Sequence, residues 1–250
     1  YRTPKTLKDN HEEYEFLKEL NADLAIVCAY GQIIPENFLN LTKKGFVNIH
    51  ASILPSWRGA APIQRSIMNL DPETGISIMK IKKELDSGPV SNIYKIKIDQ
   101  NQNAQEISEK LSALAAEKIL DNVDDILEDK AKFIDQDHSK ATYAKKIDKE
   151  ESRIDWDEDA SKIIGKINGL FPSPGASFSF NGERYKILKA EIGNGIGQVG
   201  EIISNQLEVA CNKNQSIKIL EIQRQGKRPQ KISEFMLGSQ IKKGSKLSNV

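Results

Sequence analysis

Ala22-Asp23-Leu24-Ala25-Ile26-Val27-Cys28-Ala29-Tyr30-Gly31 is the stretch whose reading decides the fold. Its apolar run falls far short of the roughly 18 residues a membrane helix needs. It lacks the alternation of a half-buried strand and stops at a glycine, so it reads as a strand buried on both faces, the kind found in parallel sheets. Before it lies a short helix with Tyr14, Leu17 and Leu20 on one face. After it, Phe46–His50 reads as a second strand, and a polar, Pro-containing loop leads into a helix over 61–69 with Pro62 in its first turn. Residues 75–81 and 93–98 alternate with period two and predict further strands. A long amphipathic helix spans 103–129, with Ile107, Leu111, Leu114, Ile119, Ile126 and Leu127 supplying its apolar stripe. Strand–helix alternation of this kind predicts an open α/β sheet.

The texture then changes. Residues 130–149 are polar and aperiodic, and read as a linker. A helix over 160–169 precedes Pro172-Ser173-Pro174-Gly175, and short strands crowd near 176–180, 184–192, 199–203, 206–211 and 216–224. Asn181-Gly182 is a hairpin signal, and five short strands predict a small OB-type β-barrel. The expected organisation is a domain over 1–129, a linker over 130–149 and a β domain over 150–250.

The chain has 250 residues and a net charge of +1, but the balance hides an asymmetry. From Ala160 onward there are 14 Lys+Arg against 6 Asp+Glu, a net of +8, while residues 1–159 carry −7. A basic last part suits contact with nucleic acid or another anionic surface, or is simply a solvated Lys-rich face. Two cysteines, 28 and 211, lie in apolar segments far apart, which excludes a disulfide scaffold and a Cys-rich zinc site and suits a reducing compartment. No His/Cys cluster has metal-ligand spacing. Tyr1-Arg2-Thr3-Pro4 has neither initiator Met nor targeting character, so the chain is expected to begin inside a protein.

The densest chemistry lies between Asn48 and Arg65. Asn48 and His50 are two apart on one strand, so amide and imidazole share a face at its C-terminal edge, where open α/β sheets place ligands. A carboxamide can donate to a developing oxyanion, and an imidazole can move a proton. The plainer alternative is a strand-end Asn and His that satisfy loop backbone groups. Asp86, in Leu85-Asp86-Ser87-Gly88-Pro89, reads alone as a turn residue, and gains a catalytic meaning only if the fold brings it to His50.

The blocks Asn48-Ile49-His50-Ala51-Ser52-Ile53-Leu54-Pro55, Trp57-Arg58-Gly59-Ala60-Ala61-Pro62-Ile63-Gln64 and Leu85-Asp86-Ser87-Gly88 resemble the methionyl-tRNA formyltransferases, within the wider 10-formyltetrahydrofolate-dependent formyltransferases. Tyr143-Ala144, Ile154-Asp155-Trp156, Pro172-x-Pro174-Gly175-Ala176 and Gln225-Gly226-Lys227 continue the resemblance in order through the second half. It implies an α/β fold, a Rossmann-like formyltransferase domain followed by a linker and an OB-type β-barrel that binds tRNA. Relative to the family pattern, roughly 60 residues before Tyr1 are absent; in a Rossmann-type order they would hold central strands, leaving sheet edges exposed.

By the resemblance, Asn48, His50 and Asp86 take the catalytic positions. Asn48 and His50 would donate to the oxyanion, and Asp86 would steady protonated His50 and help pass a proton to the departing nitrogen. Ser52, Ile53, Leu54 and Pro55 stand where the family's folate-contacting loop does. The implied reaction moves the formyl group of 10-formyltetrahydrofolate to the α-amino group of methionyl-initiator tRNA, for translation initiation, with no metal. Arg224, Lys227, Arg228 and Lys231 are expected on tRNA phosphates, joined less firmly by Lys242, Lys243 and Lys246, and Arg58 near the acceptor end. A monomer in the cytoplasm, off the membrane, is expected. The alternatives are a formyltransferase for a small amine, a formyltetrahydrofolate hydrolase, or a tRNA-binding fragment without catalysis.

Overall fold

A computed structural model describes residues 1–247; the last three residues of the expected 150–250 domain lie outside the described residues. The chain forms two compact units. The first takes residues 1–62, 73–97 and 109–146, and the second takes 63–72, 98–108 and the chain from 147 onward.

The chain runs through α1 (His11–Glu19), β1 (Ala25–Val27), α2 (Glu36–Leu39), β2 (Phe46–His50), β3 (Arg58–Gly59), α3 (Pro62–Met68), β4 (Glu73–Lys80), β5 (Val90–Lys97), α4 (Ala104–Leu127) and β6 (Tyr143–Ala144). In the first unit the sheet order is β1-β2-β4-β5; β1 pairs parallel with β2, and the other pairs are antiparallel. Its register sets Asn48 opposite Met79 and His50 opposite Ser77. Val47 and Ile78 are fully buried and pack with Ile126, Tyr94 and Phe133. The strands expected at 46–50, 75–81 and 93–98 therefore form a sheet with a buried core, and β2's C-terminal end carries polar groups.

Two expectations change here. The strand expected over 22–30 is only three residues long and is an edge strand, with Ile26 46% exposed and Tyr30 also exposed. An apolar run shows that residues tolerate burial; pairing partners decide whether burial occurs, and β1 pairs only with β2 among the described residues. The polar segment after α4, expected as a linker, lies within the first unit up to residue 146. Val90 and Ile134 exchange N–H···O bonds of 2.9 Å, and β6 pairs parallel with β3. These contacts are main-chain, so they need no apolar pattern.

The second unit adds α5 (Ala160–Leu170), β7 (Ser177–Phe180), β8 (Glu183–Gly193), β9 (Glu208–Cys211), β10 (Gln215–Arg224), β11 (Gln230–Lys231) and α6 (Ile232–Gly238). β10 is central in a five-stranded antiparallel sheet: β8 and then β7 lie on one side, and β9 and β11 pair along the other. The β7–β8 hairpin turns on Asn181 and Gly182 at φ +50° and +77°, as a two-residue turn with two positive φ values demands. The strand expected over 199–203 is reduced to isolated bridges at Glu201 and Ile202, while β11 and α6 were not expected. Trp156 is fully buried against Phe178, whose ring stacks on Tyr185 at 5.4 Å. Met68 packs on the same core, and Arg65 of α3 pairs with Glu151, which places residues 63–72 in this unit. Burial pushes the Cys211 thiol up to about 12, so it behaves as a small apolar group.

Candidate active site

β2 delivers Asn48 and His50 on one face, two residues apart. Asn48 is half-buried, and its carboxamide has no hydrogen-bond partner among the described residues. His50 is 6% exposed. The chain then folds over itself through residues 52–57. The Ser52 hydroxyl donates to the Ser56 carbonyl at 2.6 Å, and the buried Ser77 hydroxyl on β4 donates to the Ser52 carbonyl while accepting the Leu54 N–H. That loop returns the Trp57 carbonyl to His50 Nε2 at 2.9 Å. A carbonyl can only accept, so the geometry assigns the ring hydrogen to Nε2.

The other ring nitrogen, Nδ1, faces Asp86 Oδ2 at 3.6 Å. The structure thus brings His50 and Asp86 together, although 36 residues separate them. Asp86 sits in the left-handed region at φ +45°, which Asp tolerates better than most residues, and its Oδ2 accepts the Gly59 N–H at 2.9 Å. Two glycines make this turn possible. At Gly59, φ is +119° and a Cβ would stand 2.8 Å from the Ala144 carbonyl oxygen; at Gly88 a Cβ would stand 1.9 Å from the Lys80 carbonyl oxygen.

Arg58 is placed elsewhere than expected. Its side chain is buried, donating to Gln136 Oε1 from Nε (3.0 Å) and from a terminal nitrogen (2.7 Å), with His138 Nδ1 at 3.3 Å. A guanidinium so engaged has no face left for a nucleic-acid phosphate. Gln136 itself had no sequence signal, because it lies in an aperiodic polar segment and its amide donates to the main-chain carbonyls of Asp86 and Gly88. Of the loop residues expected on folate, Ser52 and Leu54 are buried and shape the loop, and Ile53 and Pro55 are partly exposed. The cavity described in the first unit, about 740 Å³, is lined by Glu84 and Ser87 of the Asp86 turn and by none of residues 52–55.

On the second unit, Lys227, Arg228 and Lys231 are exposed and have no carboxylate partner among the described residues, whereas Arg224 is ion-paired to Glu183. A separate cavity of about 280 Å³ there is lined by Lys149, Arg153 and Arg184 with the Ser152 and Ser177 hydroxyls. Among the described residues no group of three or more His, Cys, Asp or Glu is placed to hold a metal, and no helix is long and apolar enough to cross a membrane.

The class of protein follows from two family matches: it is a formyl transferase. The family described as formyl transferase matches residues 2–123, and the formyl transferase C-terminal domain matches residues 146–240. The chain is 66% identical over 249 residues to the methionyl-tRNA formyltransferase of Pelagibacter ubique (strain HTCC1062), covering 100% of this chain and 80% of that protein. It is 41% identical to the same enzyme of Dictyoglomus turgidum (strain DSM 6724 / Z-1310), covering 98% and 81%. The chain belongs to the methionyl-tRNA formyltransferase family.

Solved structures agree on the fold. HypX from Aquifex aeolicus, in complex with tetrahydrofolic acid, superposes with a TM-score of 0.68 at 18% identity, over 94% of this chain and 41% of that one. The sugar 3N-formyl transferase WlaRD gives 0.68 at 21% identity, over 85% and 77%.

Proposed function

We propose that this chain transfers the formyl group of 10-formyltetrahydrofolate to the α-amino group of methionyl-initiator tRNA, through Asn48, His50 and Asp86. The observation that carries the reading is the 66% identity to a methionyl-tRNA formyltransferase across the whole chain. A free α-amino group titrates near about 8, so a useful neutral fraction exists around neutrality. Its nitrogen forms a bond to the formyl carbon, and the carbonyl electron pair moves onto oxygen. The unengaged Asn48 carboxamide donates to that oxygen; losing one such donor costs about 2.7–4 kcal/mol of barrier.

His50 takes a different part from the oxyanion donor expected of it. Its Nε2 hydrogen is committed to the Trp57 carbonyl, which leaves the Nδ1 lone pair to receive the proton that the amine gives up. The imidazolium then lies between two acceptors, the Trp57 carbonyl and the Asp86 carboxylate. Collapse of the adduct breaks the bond between the formyl carbon and N10. The proton passes to N10, giving tetrahydrofolate and formylmethionyl-tRNA. Activation of the one-carbon unit belongs to the folate.

The chemistry falls to residues 1–129 with the following segment. The 150–250 domain holds the tRNA through Lys227, Arg228 and Lys231, with Arg224 joining if it exchanges Glu183 for a phosphate. Ile53, Pro55 and the main chain of 52–55 meet the folate. The protein works as a cytoplasmic monomer. Purified chain is given 10-formyltetrahydrofolate with charged initiator tRNA, free methionine or an amino-sugar nucleotide. Formylation of the tRNA alone is expected; transfer to the small amines, or hydrolysis without transfer, would overturn the reading.

A further inference from the structure

Gln136 is 8% exposed, and its carboxamide is used on every side. Nε2 donates to the Asp86 carbonyl at 2.9 Å and to the Gly88 carbonyl at 2.7 Å, while Oε1 accepts both Arg58 hydrogen bonds. Arg58 is 3% exposed, and no carboxylate lies within ion-pair distance of it among the described residues. A buried guanidinium satisfied only by neutral acceptors is costly. Its effect here is to fix which way the Gln136 amide points, since two donors on Oε1 oblige Nε2 to face the turn.

The consequence falls on one carboxylate. Asp86 is gripped twice, at its side chain by the Gly59 N–H and at its main-chain carbonyl by Gln136. Gly59 directly follows Arg58, so the same short strand supplies one grip and orients the other. With the turn held at each end, a backbone at φ +45° keeps Oδ2 facing His50 Nδ1.

We infer that Gln136 and Arg58 are positioning residues for formyl transfer, acting through Asp86: they hold the turn that sets the carboxylate against His50. The inference rests on the proposed roles of His50 and Asp86. Gln136→Glu is the discriminating variant. It keeps the shape and gives Arg58 a stronger partner, so the fold is retained, yet a carboxylate has no hydrogen to offer the Asp86 and Gly88 carbonyls. The expected result is a fall in kcat of about tenfold or more, since displacements of about 1 Å can cost a hundredfold, with the KM for charged tRNA within about twofold. In an Asp86→Asn background the same substitution should have almost no further effect. Arg58→Lys, which keeps the charge but loses the planar fork, should give a smaller fall that the Asp86→Asn background also abolishes.

The 15N signals of the His50 ring supply a readout that does not depend on turnover. Gln136→Glu should move them in the direction that Asp86→Asn does, even if the protein proves to formylate another amine. A wild-type kcat in Gln136→Glu, a full additional loss in the Asp86→Asn background, or unmoved His50 signals would each overturn the positioning role. Should Gln136→Glu fail to fold, Arg58→Lys carries the same cycle and the same spectrum.

Discussion

His50 ends an apolar strand with an acceptor on each ring nitrogen, the Trp57 carbonyl at 2.9 Å and Asp86 Oδ2 at 3.6 Å. The plain alternative read from the sequence, a histidine satisfying loop backbone, is thus half true: one nitrogen does that, and in doing so it turns the other toward Asp86, the nitrogen to which the proposed reaction assigns proton transfer. His50→Ala should lower turnover by about a hundredfold or more while leaving tetrahydrofolate affinity near its original value, measured by single-turnover formylation and by calorimetry. Unchanged turnover would remove the imidazole from the reaction. Gly88→Ala tests the turn. A Cβ there would overlap the Lys80 carbonyl, which no rotamer relieves, so the turn must move, at a cost of about 1–3 kcal/mol in thermal unfolding and with lower turnover. The Asn48–His50 pair was legible in the sequence because strand periodicity fixes which side chains share a face. The approach of Asp86 to His50 came only with the family resemblance, since spacing along the chain says nothing of it. Gln136 was illegible because its amide serves main-chain carbonyls, which every residue possesses.

Elements tell the same story at longer range. β4, β5 and α4 were visible as periodic runs, and β2, α5 and most strands of the second unit as apolar segments bounded by turn residues. The segment after α4 and the extent of β1 were not, since one is held by main-chain pairing and the other depends on what lies beside it. α3 is instructive: its apolar pattern gave a helix but not its allegiance, which Arg65 and Met68 settle in favour of the second unit. Arg65 makes a two-pronged contact with Glu151 at 2.5 and 2.9 Å, and Glu151 also accepts the Asp148 N–H, closing the turn that opens this unit. Arg65, ahead of every other cause, holds the Glu151 carboxyl below the usual carboxylate range. A depressed folded-state value means the pair's contribution is complete above the unfolded value, about 4.3, and is lost as pH falls through the folded one. Melting temperature should therefore drop on acidification below about pH 4, and Arg65→Gln should reduce that drop while mattering most near neutrality. An identical acid dependence in the variant would show that other carboxylates carry it.

For the whole molecule the decisive feature is the split of charge, −7 over residues 1–159 and +8 thereafter. Composition alone left nucleic acid and a merely solvated surface on equal terms. The structure sorts the basic residues: Arg58 is buried, Arg224 is paired with Glu183, and Lys227, Arg228 and Lys231 remain exposed together around the β10–β11 turn. Three cations within five residues, with no carboxylate partner among the described residues, can neutralise three phosphates without first breaking an ion pair, and each contact releases counterions. With the duplex coefficient as a guide, three contacts give log K for tRNA a slope of about −2.7 against log salt. Reversing Lys227 and Arg228 to Glu should flatten that slope by about 2 and weaken tRNA binding at low salt, while tetrahydrofolate binds as before. Filter binding of charged initiator tRNA across a salt series measures both quantities. If Arg224 also turns to the RNA, Glu183→Gln should tighten binding, because it frees that guanidinium without adding charge of its own. A slope near zero in the parent protein, or one that the double reversal leaves untouched, would place the tRNA contact somewhere other than this turn.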